Sequence, residues 1–310
     1  MEWKEITVTV NAKDVSVTED IANMTVPYGI YTEDYTDLEQ QALEIAHIDL
    51  IDEALIKKDR TKAIVHVYIS DEDNAFEAVS FLKDQLSAVN VEATVSMGSV
   101  DDGDWADNWK KFFKCTEIGE KLVIRPSWEE YENKSGRKVL NIDPGAAFGT
   151  GTHATTTLCL ELLEQYVREN DTMLDIGTGS GILSIASVLL GAKSAVGVDI
   201  DEVAVKVANE NAEINNITDK TQFIQGDLAE KVSGKFNVVC ANIVADVIIR
   251  LLENVDTFFE ENTVLICSGI INIRVDDVKA AFSEHGYKII AERTKDNWYA
   301  FAVIKENTNA

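Results

Sequence analysis

The run Leu174-Asp175-Ile176-Gly177-Thr178-Gly179-Ser180-Gly181 closes an apolar segment and leads into a helix-forming one. Glycines at every second position allow a tight turn and let backbone approach a ligand closely. The helix that follows presents unpaired N–H groups at its start. Asp199 lies 22 residues beyond Gly177, at the end of a second apolar run, Val-Gly-Val-Asp-Ile. A carboxylate at that strand end can accept hydrogen bonds from both hydroxyls of a ribose. Together these features predict a nucleoside site; a ligand-free structural turn is the competing account. The third glycine of a dinucleotide fingerprint would fall at position 182, which is Ile182, so a nicotinamide oxidoreductase is the weakest reading.

Three further groups sit beside this one in the pattern. Gln225-Gly226-Asp227 closes a third strand, where a side-chain acceptor can take the exocyclic amine of adenine; Asp227 reads equally well as a solvated loop carboxylate. Ala241-Asn242-Ile243-Val244-Ala245 closes a fourth. Strand ends of this kind face the ligand crevice of an open α/β sheet. Asn242 offers an acceptor and a donor to an amine; the alternative is a cap on the next helix. Upstream, Asp143-Pro144-Gly145-Ala146-Ala147-Phe148-Gly149-Thr150-Gly151-Thr152-His153-Ala154-Thr155-Thr156 is rich in glycine and hydroxyls, and suits a loop that covers a ligand and runs into a helix. His153 is a candidate base or a structural hydrogen-bonder.

The elements that must hold these residues follow from periodicity. From Asp171 onward, apolar strands at Met173–Ile176, Ala195–Ile200, Gln222–Ile224, Asn237–Ile243 and Val264–Ser268 alternate with helical stretches at Ile182–Leu190, Glu202–Asn215, Ala245–Phe259 and Val275–His285. Unbroken apolar strands are buried on both faces, which predicts a parallel sheet with helices on each side. Lys288–Glu292 and Trp298–Ile304 follow without an intervening helix and must pair as a hairpin, so the last strand runs antiparallel at or near an edge.

The first hundred residues read as a small α+β unit near the ferredoxin-like β-α-β-β-α-β order. Strands are expected at Glu5–Val10, Tyr28–Thr32, Ala63–Ile69 and Glu92–Met97, and helices at Asp37–Ile56 and Asn74–Ala88; Val15–Thr25, where a first helix belongs, has a weak pattern. Ser99–Asp104 is a polar boundary. A short aromatic helix at Trp105–Phe113 and short strands at Leu122–Arg125 and Val139–Ile142 follow. The expected division is 1–100, a linker and pre-catalytic segment 101–145, and a catalytic domain 146–310.

With 310 residues, 54 acidic and 28 basic, the chain carries −26, of which −13 lies in residues 1–100. Such a field repels nucleic acid and anionic membrane and attracts basic partners, or simply keeps the protein soluble. Cys115, Cys159, Cys240 and Cys267 form no C-x-x-C pair, and the four histidines show no ligand spacing, so no metal is expected. No apolar run reaches the length of a membrane span, and the first residues lack a signal-peptide pattern. A cytoplasmic protein is expected.

The D-x-G-x-G-x-G form of the glycine loop is typical of S-adenosylmethionine-dependent methyltransferases. Asp143-Pro144-Gly145, Ala147 to His153, the Asp175–Gly181 loop and Asn242-Ile243-Val244-Ala245 together resemble the PrmA family, the methyltransferases of ribosomal protein L11 at the stalk base of the large subunit. Asp104-Trp105, Trp109-Lys110, Pro126 to Glu129 and Ser268-Gly269-Ile270 extend the likeness across residues 100 to 305. The resemblance implies a class I, Rossmann-like domain with a mostly parallel seven-stranded sheet and an antiparallel last strand. It also implies an N-terminal substrate-recognition domain, and trimethylation of α-amino and lysine ε-amino groups. Carried over by position, Thr156, Gly177, Asp199 and Asn242 match cofactor-contacting residues. Gly179, Asp227, Phe148 and Gly149 complete the candidate S-adenosylmethionine site. The chain departs from the family pattern at Ala154, where proline is usual, and at Val244, where leucine is.

The attacking amine must be neutral, so a lysine near pKa 10.4 or an α-amine near 8 first loses a proton. Asn242, with the Ile243 carbonyl, is the candidate catalytic residue, accepting amine hydrogen bonds and fixing the lone pair. The alternatives are a methyltransferase of another protein or of a small-molecule amine, and a ribosome-binding module without activity. An Asn-Pro-Pro-Tyr-like enzyme of nucleic-acid bases is opposed by the charge and by the lack of a stacking aromatic after Asn242.

Overall fold

The computed structural model describes residues 3–25, 30–36, 59–70, 75–98, 114–143, 151 and 153–306, and elements are numbered along these. The chain divides into two compact units, residues 1–109 and 110–310. The expected helices at 37–56 and 105–113 and the boundary at 99–104 lie outside the described residues.

The first unit contains β1 (Trp3–Asn11), α1 (Val15–Thr25), β2 (Ile30–Glu33), β3 (Lys62–Ser70), α2 (Ala75–Ala88) and β4 (Thr94–Met97). Its sheet has the order β2-β3-β1-β4, antiparallel at every pairing. Period-2 alternation decides its faces. Ile6, Val8 and Val10 of β1 and Val65, Val67 and Ile69 of β3 are buried, with Leu82 and Leu86 of α2. Glu5, His66 and Tyr68 occupy the opposite face, where the Glu5 carboxylate meets His66 Nδ1 at 2.8 Å and accepts from Tyr68 OH at 2.9 Å.

The segment with a weak pattern is the helix α1. Thr18 and Thr25 obscure its apolar period, but their hydroxyls donate to the carbonyls of Asp14 and Ile21, four residues back, at 2.8 and 3.0 Å. The polar groups are satisfied inside the helix while Ile21 and Ala22 are buried.

The second unit opens with β5 (Thr116–Ile118), β6 (Leu122–Arg125) and β7 (Lys138–Asn141), a small three-stranded sheet. Its β5–β6 turn is held by one carboxylate: Glu164 accepts from the backbone N–H groups of Glu120, Lys121 and Leu122, each at 2.9 Å. Glu164 belongs to α3 (Ala154–Tyr166).

Then follow β8 (Thr172–Ile176), α4 (Ile182–Leu190), β9 (Ser194–Asp199), α5 (Glu202–Ile214), β10 (Thr221–Gln225), β11 (Phe236–Asn242), α6 (Ala245–Leu251), β12 (Phe259–Ile271), α7 (Val275–Glu284), β13 (Tyr287–Lys295) and β14 (Trp298–Lys305). The seven-stranded sheet has the order β10-β9-β8-β11-β12-β14-β13. It is parallel from β10 to β12, and β14 is antiparallel to both its neighbours. Right-handed crossovers run one way through α4 and α5 and the other way through α6, which puts the helices on opposite faces. This is the expected α/β architecture.

The last strand runs antiparallel near an edge as expected, between β12 and the edge strand β13. Two details differ from the sequence pattern. The helix expected to reach Phe259 ends at Leu251, followed by a 3-10 turn at Val255–Phe258. β12 begins at Phe259 rather than Val264, because exposed Glu260, Glu261 and Asn262 carry its polar start and interrupt the apolar run.

Candidate active site

The strand order reverses between β8 and β11, and in open α/β sheets such a switch point is where ligands bind, at the C-terminal strand ends. Register brings the expected residues to that edge. Ile176 pairs with Ala241 and with Val198, and Gln225 pairs with Asp199. So Gly177, Asp199, Asp227 and Asn242 leave neighbouring strands at one level.

The glycine loop is left-handed three times, with φ of 74° at Gly177, 51° at Gly179 and 81° at Gly181. At Gly177 a Cβ would come within 2.5 Å of Ile243 Cγ2. The Ile243 side chain, just beyond β11, therefore packs against the loop as closely as glycine permits. On the other side, Gly269 (φ 86°) lies where a Cβ would strike the Ile243 carbonyl. Ile243 is thus nested between two glycines, its side chain against Gly177 and its backbone against Gly269.

Asp199 is half-buried. Its Oδ2 accepts from Gly179 N–H at 2.8 Å and its Oδ1 from Asp201 N–H at 3.0 Å. Burial raises its pKa above the ordinary aspartate value, and these backbone donors oppose the rise. Asn242 is buried at the end of β11. The N-cap of α6 is Val244, so capping that helix is not the task of Asn242. Asp227 is exposed; the neighbouring Gly226 N–H donates to the Asp199 carbonyl at 2.9 Å. Phe148 and Gly149 lie outside the described residues.

At the start of α3, His153 is the N-cap. Its Nδ1 accepts from Thr155 N–H at 3.4 Å and lies 2.8 Å from Thr155 Oγ1. The ring meets Trp298 edge-on at 5.2 Å between centroids. Burial first, and Lys295 second, push its pKa down to about 4. Part of the residue's surface stays exposed, but the ring is desolvated enough to remain neutral near pH 7. The structure places it as the cap of α3. Three residues on, Thr156 is fully buried, and its Oγ1 has no hydrogen-bond partner among the described residues.

Sequence reasoning quoted Asp175 in the loop without assigning it a task. It is fully buried, and its Oδ2 accepts from Thr178 Oγ1 at 2.7 Å, Ser184 Oγ at 2.9 Å and Ser184 N–H at 3.2 Å. One carboxylate oxygen thus ties the glycine loop to the start of α4. The other, Oδ1, is buried without a partner among the described residues. Burial lifts the group to about pKa 6 despite the hydrogen bonds. The signal for it was a charged residue inside an otherwise apolar strand.

Buried hydroxyl and carboxylate groups around a glycine-lined crevice can bind a polar nucleoside derivative, and Asn242 can orient an amine beside it. A family model described as Ribosomal protein L11 methyltransferase (PrmA) matches residues 2–306. The ribosomal protein L11 methyltransferase of Alkaliphilus oremlandii is 40% identical over 306 residues, 97% of this chain and 97% of the relative. That of Desulforamulus reducens is 37% identical over 310 residues, 99% of this chain and 100% of its own length. Among solved structures, the ribosomal protein L11 methylase of Lactobacillus delbrueckii subsp. bulgaricus superposes with a TM-score of 0.59 at 32% identity, over 62% of this chain and 99% of that one.

Proposed function

We propose that this chain, which belongs to the PrmA family of ribosomal protein L11 methyltransferases, uses S-adenosylmethionine to methylate amines of ribosomal protein L11 in the cytoplasm. The family match over residues 2–306 carries this reading. The site's chemistry fits the cofactor. Thr156 holds a buried hydroxyl without a partner among the described residues, Gly177 and Gly179 leave backbone bare, and Asp199 ends the strand where a ribose would sit. Thr156, Gly177, Gly179, Asp199 and Asn242 would hold it, with Asp227 beside the adenine and Phe148 and Gly149 covering it.

When bound, S-adenosylmethionine supplies a methyl group on a positively charged sulfur. The chain's own part is to orient and to exclude water. Asn242 and the Ile243 carbonyl accept N–H hydrogen bonds from a neutral amine and aim its lone pair along the crevice. The methylated amine would be left as an ammonium, which would give its proton to solvent. Near neutral pH the rate rises with pH, because more of the amine is neutral. Lysine ε-amino and N-terminal α-amino groups are the targets, to the trimethyl state.

Residues 1–100, at −13, receive the basic substrate, and the same charge opposes nucleic acid. The test is transfer from labelled S-adenosylmethionine to purified L11. Label mapped to amines is expected, and Asn242→Ala should lower turnover about tenfold to a hundredfold with unchanged thermal stability. Unlabelled L11, with cofactor binding intact by calorimetry, would remove the substrate assignment.

A further inference from the structure

Between Asn242, the last residue of β11, and α6 lie only Ile243 and Val244. That short connection is gripped from β12. The Ile243 N–H donates to the Ser268 carbonyl at 3.1 Å, and the Ile243 carbonyl lies against Gly269. The start of α6 has no side-chain cap, because its N-cap is Val244. A second grip comes from just beyond β12. Arg274 ends the 3-10 turn Asn272–Arg274 that follows the strand, and it directly precedes α7. Its Nη1 and Nη2 donate to the two carboxylate oxygens of Asp246, in the first turn of α6, at 3.1 and 2.6 Å. Its Nε donates to Asp277, in the first turn of α7, at 2.9 Å. The bonds from Arg274 hold the Asp246 carboxyl below the ordinary aspartate range. The backbone that carries Arg274 is fixed in turn: the Asn272 N–H donates to the Asn297 carbonyl, in the turn between β13 and β14, at 3.0 Å.

We propose that Arg274 is a positioning residue for methyl transfer: it ties the start of α6 to the start of α7 and so holds Asn242 and the Ile243 carbonyl in line with the amine they receive, a role that rests on the methyltransferase reading above. All three nitrogens of the guanidinium are engaged, two by one carboxylate and one by another, and this fork geometry belongs to arginine. Lysine keeps the charge but presents it as a single point. The ion pairs are part-exposed and add little to stability. What they fix is direction. Asp246 lies four residues beyond Asn242, and a displacement of about 1 Å at a reacting group can cost about 10²-fold in rate. Asp199 and the glycine loop follow β9 and β8, on the far side of β11 from β12, so cofactor affinity is expected to survive the loss of Arg274.

The experiment is steady-state methyl transfer from S-adenosylmethionine to purified L11 by the full-length wild type, Arg274→Ala, Arg274→Lys, Asp246→Ala, the double variant Arg274→Ala/Asp246→Ala, and Lys279→Ala. Cofactor calorimetry and thermal unfolding run alongside. Lys279 of α7 pairs with Glu292 of β13 at 2.9 Å, a part-exposed ion pair away from α6, and serves as the control. Arg274→Ala should lower kcat about tenfold. KM for L11 and affinity for S-adenosylmethionine should stay within about twofold of wild type. Arg274→Lys should recover only part of the loss, and the double variant should be no slower than the slower single one. Lys279→Ala should keep the wild-type kcat. If Arg274→Ala fails to fold, Arg274→Lys and Asp246→Ala decide. A folded Arg274→Ala with wild-type kcat overturns the proposal. So does a raised KM at unchanged kcat, since Arg274 would then bind the substrate directly. A Lys279→Ala variant as slow as Arg274→Ala also overturns it, because the effect would be general to the packing of α7. A wild type that transfers no methyl to L11, or an Asn242→Ala variant with wild-type kcat, overturns the reading beneath it, whatever the Arg274 variants do.

Discussion

The antiparallel sheet of the first unit and the parallel sheet of the second use similar apolar residues but place their polar ones differently. In β1 and β3 polar and apolar residues alternate, so Glu5, His66 and Tyr68 collect on a face. In β8, β9 and β11 both faces are covered, and the polar side chains come at or near the C-terminal ends: Asp175, Asp199 and Asn242. A sheet covered on one side has a surface to offer a large partner, whereas one covered on both sides has only its ends. The division of labour proposed above puts the cofactor at the strand ends of the second unit and the protein substrate at the first.

The sharpest break of this comparison is Asp199→Ala. It removes a carboxylate placed for two charge-assisted hydrogen bonds, so affinity for S-adenosylmethionine should fall roughly 10²–10³-fold by calorimetry. A loss under tenfold would mean that the strand ends do not hold the ribose. Next is Leu82→Ala in α2, fully buried in the first unit. It should lower that unit's stability by about 3 kcal/mol in denaturant unfolding. Cofactor affinity should stay within about twofold of wild type; affinity falling together with stability would end the division of labour.

The smallest effect is in the pH dependence, and it arises in the second unit alone. His153, at about pKa 4 when folded, refuses a proton that the unfolded chain takes up below about 6.5. Its contribution to stability therefore rises with pH across that window. Asp175, at about 6 when folded, keeps a proton that the unfolded chain gives up above about 3.8, so its contribution falls as pH rises over nearly the same window. Each amounts to at most about 3 kcal/mol, and the two largely cancel. Asp175→Asn should leave the His153 part exposed, so that stability climbs with pH between about 4 and 6.5 more steeply than in wild type. Equal slopes in urea titrations of the two proteins would show that Asp175 is ionised or solvated.

Much of the catalytic unit was legible because its signals are local. Ile182–Leu190 forms the helix the periodicity predicts, and Leu122–Arg125 the strand. The hairpin was legible from two strands without a helix between them; Asp296 and Asn297, at φ 51° and 64°, supply its two-residue turn. Less of the first unit was legible. The threonines of α1 look like a break in the pattern until their hydroxyls are seen to bond within the helix. The candidate site divides in the same way. Asp199 and Asn242 announce themselves as polar ends of apolar runs, whereas Asp175 and Arg274 have tasks set by partners far along the chain or around a turn.

Read alone, the chain specifies the glycine turn, the parallel strands and the polar residues at their ends, because turn geometry and face burial are encoded within a few neighbouring positions. Only folding decides that β14 inserts between β12 and β13, that His153 is neutral, and that one arginine joins Asp246 to Asp277. Those outcomes depend on desolvation and on hydrogen bonds between residues brought together through space, which no spacing along the chain records.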